Sequence, residues 1–330
     1  ALLPALLFFG SAFVVVHLQA VRSGIAPNTS VRHEDDLPLW KALVKGGPFI
    51  AAFGTLITMM LMGYSPFMAS LWAMVVLLAL DIVWARKLDY VFFEKLLRSV
   101  SEGARSVVTI SAACAAAGVI AGILGVTGLG SKIATLIDVA SGGYLLLALF
   151  FTMVTSIVLG MGLPTTAAYL ILATVVAPAL VKLGVPVLTA HFFVFYYGCI
   201  STITPPVALA AYVAGGIAGA NVNKVGWTAA SYAATSFVLP FAFVYGPGIL
   251  MQGTWVENIA AVLSAALGTF AIAVAIIGCL RARLTSLARS LAAIAGLCLL
   301  FQGWISGGIG LVLIAAVILL DRPSPNPATT

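Results

Sequence analysis

Two long stretches of the chain, Val139–Val181 and Gly184–Asn223, contain no Asp, Glu, Lys or Arg, and the second holds only His191. Windows of this length cannot be surface helices of a water-soluble domain, whose outer faces need charge for solvation. The whole chain shares the bias: 62% of its 330 residues are hydrophobic and 8% are charged, where a soluble chain has about 45–50% and about 25%. Mean hydropathy is +1.16. These values exclude a disordered chain, a soluble enzyme and a coiled coil, and they predict an all-α polytopic membrane protein with the lipid bilayer as solvent. Ten Asp/Glu and three His leave little material for a carboxylate metal cage or an acid–base pair. No enzymatic activity and no cofactor is expected.

The formal net charge is +6, but the cations sit in short loops between apolar runs. That distribution fits the positive-inside rule rather than nucleic-acid binding. The densest basic segments, Arg86–Arg105 and Arg281–Arg289, are expected on the cytoplasmic side of the membrane. Cys114, Cys199, Cys279 and Cys298 all lie in apolar segments without a CxxC spacing and read as small buried hydrophobes. The chain opens Ala-Leu-Leu-Pro inside an apolar run, unlike a signal peptide, which predicts a piece of a longer polypeptide.

A spanning helix needs about 20 mostly apolar residues. Ala1–Ala20, Ser106–Gly128, Gly226–Tyr245 and Asn258–Leu280 qualify. Pro48–Trp84, interrupted at Gly63-Tyr64-Ser65-Pro66, reads as two short helices or one broken span. Leu291–Leu320 reads as one tilted helix or a hairpin pivoting at Gly303–Gly308. Arg86–Arg105 alternates cations with apolar residues and suits a helix lying in the interface plane. The polar stretch Val21–Gly47 reads as a loop and the Pro-rich tail 321–330 as disordered.

The two charge-free windows carry the functional signal. The first contains Gly160-Met161-Gly162-Leu163-Pro164-Thr165-Thr166, and the second Ser201-Thr202-Ile203-Thr204-Pro205-Pro206. Proline removes a backbone donor and clashes with the preceding turn, so both windows must break. As one straight helix the apolar length of the second would be about 50 Å, too long for a hydrocarbon core of about 30 Å. Broken helices are tolerated in a bilayer where protein or a polar cavity receives the freed backbone groups. Two breaks, each with a Ser/Thr cluster, are what a secondary-transporter ion site requires: half-helix N-termini face an anion while freed carbonyls and hydroxyls hold Na⁺. Neither window has a carboxylate, which favours Na⁺ over a proton relay. A passive channel lined by the breaks and a non-transporting scaffold in which Gly, Pro and Thr serve packing are the alternatives.

Gly160–Thr166 and Ile203-Thr204-Pro205-Pro206-Val207-Ala208-Leu209-Ala210-Ala211-Tyr212 resemble the large membrane subunit of TRAP (tripartite ATP-independent periplasmic) transporters, most of all fused permeases associated with TAXI-type solute-binding proteins. The resemblance runs from Ala1 to about Tyr245, and the later helices are similar to the extra C-terminal helices of fused forms. It implies the second half of an inverted-repeat, elevator-type transporter. Residues 1–128 would precede the hairpin, 129–246 would hold the hairpin and the unwound helix, and 247–320 would be the extra helices. It also implies Na⁺-coupled uptake of a small organic anion, a carboxylate by analogy, delivered by a periplasmic binding protein. A small membrane subunit or the remaining permease polypeptide would be a further partner. On this resemblance Gly160, Gly162, Pro164, Thr165, Thr166, Ser201, Thr202, Thr204, Pro205 and Pro206 form the substrate and ion site, with Thr165 and Thr204 as Na⁺ ligands. No Arg or Lys lies in either window, so helix N-termini or sequence elsewhere must receive the carboxylate.

Gly125–Lys132 has Ser-Lys where a phosphate-binding loop has Lys-Ser/Thr, and reads as a helix end. His191 reads as a polar residue at a helix start, and the tryptophans as mostly interfacial anchors.

Overall fold

The computed structural model describes residues 2–25, 38–85, 90–280 and 282–321, and among them every regular element is a helix. The chain divides into two compact units, residues 1–26 with 110–330, and residues 27–109. Helix α1 (Leu2–Arg22) opens the larger unit.

The smaller unit contains α2 (Leu39–Lys45), α3 (Gly47–Leu61), α4 (Pro66–Ala85) and the start of α5 (Tyr90–Val126). Gly63, at φ +86, lies in the turn between α3 and α4, and Pro66 opens α4, where a missing N–H costs nothing. Pro48–Trp84 is therefore two helices. Within the expected Val21–Gly47 loop, Leu39–Lys45 is helical and residues 26–37 lie outside the described residues. The amphipathic stretch expected over Arg86–Arg105 and the following span belong to one element from Tyr90 onward, because Gly103 alone does not end a helix. Residues 86–89 lie outside the description.

In the larger unit α5 ends at Val126, Gly128 adopts φ +65, and α6 (Leu129–Ser141) leaves at 72°. The Gly125–Lys132 segment is this helix-to-helix corner. Next come α7 (Leu145–Gly160), α8 (Thr165–Val175) and α9 (Ala177–Lys182). The chain continues with α10 (Val187–Ile200), a 3₁₀ turn at Ser201–Ile203, and α11 (Leu209–Ile217). Helices α12 (Val222–Tyr232) and α13 (Ala234–Tyr245) together form one apolar span, and α14 (Trp255–Ile277) forms another. The last apolar run is two helices, α15 (Ser286–Leu300) and α16 (Trp304–Leu320), joined at a turn whose Gln302 has φ +54. That turn comes just before the glycine cluster, since Gly307 and Gly308 lie inside α16. Of the 321–330 tail, only Asp321 is described. Among the described residues five helical stretches, two of them the pairs α8–α9 and α12–α13, are long and apolar enough to cross a bilayer, or six if the 72° pair is one span.

Three apolar clusters hold the larger unit. Phe193 and Tyr197 of α10 are fully buried with Leu149, Leu172 and Leu180 from the preceding helices. Leu239 and Phe243 of α13 meet Ile249, Ala265 and Leu7. Val15 and Leu18 of α1 meet Val274 and Ile277 of α14 and Val317 of α16.

The last carbonyls of a helix have no internal partner, which is costly away from water. At the end of α14, Arg22 Nη1 donates to Ile277 O at 2.7 Å, while Arg289 Nε and Nη2 donate to Ala275 O at 2.9 Å and Ile276 O at 3.1 Å. Two guanidinium groups, from α1 and α15, thus cap one helix and complement its dipole. Gly278, at φ +69, lets the chain turn beneath them. Replacing Arg289 by Leu should cost about 1–3 kcal/mol and lower the melting temperature of the purified protein, with Arg289→Lys recovering part of the loss. A melting temperature equal to wild type in Arg289→Leu would contradict this capping role.

Candidate functional site

The first charge-free window folds as a hairpin. Helix α7 stops at Gly160, Met161 is extended, and Gly162 takes φ +77, a left-handed conformation that glycine adopts without strain. Leu163 N–H closes back on Gly160 O at 3.3 Å. Pro164 precedes α8 with φ −58 and ψ 145, and no side chain caps the new helix. The first N–H groups of α8, from Thr165 onward, therefore lack intrahelical partners. Thr165 and Thr166 are exposed.

The second window unwinds at its prolines. Pro205 and Pro206 occupy the positions whose N–H groups would bond Thr202 O in a 3₁₀ or an α-helix, so that carbonyl loses both helical donors. Thr204 N–H instead bonds Ser201 O at 3.2 Å, and Ala208 N–H bonds Thr204 O at 3.1 Å. Ala208 sits at φ 34 and ψ 45 before α11, a left-handed conformation that costs about 1–2 kcal/mol for a residue with a Cβ. Tyr212 straps the loop by donating its hydroxyl to Pro206 O at 2.8 Å. Gly226 of α12 makes room for that ring, since a Cβ there would lie 2.8 Å from Tyr212 Cε1.

The hydroxyls at the break share one pattern. Ser201 Oγ donates to Gly198 O at 2.7 Å, Thr202 Oγ1 to Cys199 O at 2.7 Å, and Thr204 Oγ1 to Ile200 O at 2.8 Å. Their protons are spent on the last carbonyls of α10, so each oxygen keeps lone pairs that can accept.

The two windows meet. A Cβ on Gly160 would lie 2.8 Å from Ser201 Oγ, 3.2 Å from Ser201 Cβ and 3.3 Å from Gly198 Cα. One on Gly162 would lie 3.7 Å from Val207 Cγ1, and one on Gly198 3.0 Å from Leu172 Cδ1 of α8. Small residues at this junction let backbones approach as they do between membrane helices. Gly160, Gly162, Gly198 and Ser201 are thus brought together, whereas Thr165 and Thr166 make no hydrogen bond to Ser201, Thr202 or Thr204 among the described residues.

Residues 1–253 match the family described as "Tripartite ATP-independent periplasmic transporter, DctM component". The chain belongs to the DctM family. No curated protein and no solved structure matches it. The DctM family is one component of a transporter, and both windows fall inside the matched region, whereas α14–α16 follow it.

Other polar residues on the helices of the two windows escape a reading of breaks and motifs. Thr152 and Ser156 lie two turns and one turn before Gly160 on α7 and are fully buried, and neither hydroxyl has a partner among the described residues. Their four-residue spacing with Gly160 is the signal that sequence offers. His191 lies one turn into α10, and its Nδ1 shares a hydrogen bond of 3.0 Å with Tyr169 OH. It joins the second hairpin arm to α10 rather than starting a helix.

Gly160→Ala should destabilise the protein by about 1–3 kcal/mol through overpacking. Adding Ser201→Gly, which removes the two nearest atoms, should recover most of that loss in a thermal melt. Strictly additive losses in the double variant would show that the hairpin and the break do not press on one another there.

Proposed function

We propose that this DctM-family chain is the permease of a TRAP transporter that takes up a small organic anion of the carboxylate class, with Na⁺ as the coupling ion. The anion arrives on a periplasmic solute-binding protein of the TAXI type, and the membrane is the bacterial inner membrane. A small membrane subunit or further permease sequence completes the machine. The observation that carries the reading is the approach of Gly160 to Ser201 and Gly198, which joins two interrupted helices at their breaks.

In this reading Na⁺ is cargo held by neutral oxygens: the hydroxyls of Thr165 and Thr204, supported by Ser201, Thr202 and the Thr202 carbonyl that Pro205 and Pro206 leave without helical donors. Gly160, Gly162 and Pro164 shape the tip, and Thr166 with the uncapped start of α8 faces the substrate carboxylate. N–H groups at a helix start attract anions without a cationic side chain, which suits windows that lack Arg and Lys. Residues 129–246 move as a transport domain in an elevator motion, residues 1–128 precede it, and 247–320 are added helices. Neutral ligands also explain Na⁺ rather than H⁺, because no group at the break titrates near neutral pH.

The test is uptake of labelled organic acids into proteoliposomes containing the permease with its membrane partner, with and without an inward Na⁺ gradient and the binding protein. Uptake should saturate, require both, and fall at least about tenfold in Thr204→Ala, the effect of losing roughly 1.4 kcal/mol of ion binding; Thr204→Ser should retain it. Non-saturating flux indifferent to Na⁺ would instead establish a pore. Wild-type uptake in both Thr165→Ala and Thr204→Ala would reduce these threonines to packing residues.

A further inference from the structure

A half-open cavity of about 820 Å³ lies between the end of α13 and the turn after it, the start of α14, the α15–α16 turn and the first half of α16, at the C-terminal edge of the family match. That volume lies in the range of ligand sites, about 300–1,000 Å³. Its walls change character with depth. At the helix starts they carry Gln252, Glu257 and Gln302 with the backbone of Gly246 and Gly303; further along they carry Leu267 of α14 and Leu311 of α16. From Glu257 to Leu267 the wall runs for about 15 Å along α14, at about 1.5 Å per residue. The polar end therefore lies at the end of a membrane span and the apolar end well within it.

A second, wholly apolar groove of about 340 Å³ adjoins the first at Tyr245 and runs along the other side of α15. Leu146 and Phe150 of α7, Phe241 of α13, and Leu297 and Phe301 of α15 line it. The polar end of the first cavity thus adjoins an apolar groove. The charge is one-sided: among the described residues lining either cavity Glu257 is the sole charged one, with no Lys or Arg. Glu257 Oε2 accepts Thr254 N–H at 2.8 Å, which leaves its other oxygen for a donor. Trp304, the first residue of α16, also lines the cavity, and the first N–H groups of a helix suit an anionic group. Gln302 Nε2 is buried there without a partner among the described residues.

We infer that this pair of cavities is a binding site for one two-chain phospholipid with a primary-amine, zwitterionic headgroup. The ammonium meets Glu257, the phosphate meets the start of α16, one acyl chain descends between α14 and α16, and the other follows the groove beside α15. An anionic headgroup would bring its charge to Glu257 without a cation to offset it. A quaternary amine could not donate a hydrogen bond to the carboxylate.

Two substitutions test the site without disturbing the helices. A Cβ on Gly308 would meet nothing within 4 Å, so Gly308→Leu fills the cavity while favouring the helix. Glu257→Gln keeps a residue able to complete the α14 cap but removes the charge. The measurement is native mass spectrometry of the delipidated full chain, titrated with phosphatidylethanolamine, phosphatidylcholine and phosphatidylglycerol of matched chains, and with soluble phosphoethanolamine. Phosphatidylethanolamine should give one saturable adduct, tighter than the other two lipids, weakened about tenfold by Glu257→Gln and reduced to background by Gly308→Leu. Soluble phosphoethanolamine should not bind. Equal binding of phosphatidylglycerol or phosphatidylcholine, retention of the adduct in Gly308→Leu, or binding of the soluble headgroup as tight as the lipid would each overturn the inference.

Discussion

A bilayer offers backbone amides nothing to bond, so every interruption of a helix must be repaid within the protein. The break at Ser201–Ala208 depends on this rule. Two consecutive prolines strip the helical donors from Thr202 O, and Ala208 is held in a left-handed conformation. The loop is closed by three local bonds: Thr204 N–H to Ser201 O, Ala208 N–H to Thr204 O, and Tyr212 OH to Pro206 O. What local bonding leaves over is acceptor capacity, in hydroxyl lone pairs and an orphan carbonyl. A cation is the natural complement of such a surface, and the proposed Na⁺ site rests on that match.

The same accounting explains the surroundings. Gly160 and Gly198 are glycine because the hairpin tip and the broken helix approach too closely for a Cβ. At the other junctions the chain uses side chains: Tyr197 OH bonds Phe237 O between α10 and α13, and Tyr169 bonds His191 between α8 and α10. The arginines at the end of α14 serve carbonyls that a straight span would otherwise leave open. In each case a residue type that looks ordinary in an apolar sequence is fixed by one backbone group that needs either a partner or room.

Much of this was legible in the sequence where it depends on local chemistry. Pro205-Pro206 and Gly162-Leu163-Pro164 announce their breaks, and the charge-free windows around them announce the solvent. The turn at Gly63–Pro66 was visible for the same reason. What depends on tertiary contact was not. Nothing in the spacing of Arg22 and Arg289 points to the end of α14, and nothing in Gly160 alone points to Ser201. The α15–α16 turn falls at Phe301–Gly303 rather than within the following glycines, because Gly307 and Gly308 are carried inside a helix whose neighbours hold it. The amphipathic stretch near Arg98 and the span after it form one helix because a single glycine is too weak a breaker.

The central claim is that Na⁺ binds where the hairpin tip meets the broken helix. The most direct measurement replaces the four native cysteines, places one cysteine at Thr166 in the exposed tip, and follows its alkylation by a membrane-impermeant maleimide in Na⁺ and in K⁺. Na⁺ binding at the junction should slow the reaction saturably, and Thr204→Ala should abolish the protection. Identical rates in the two salts with Thr204 intact would contradict the account.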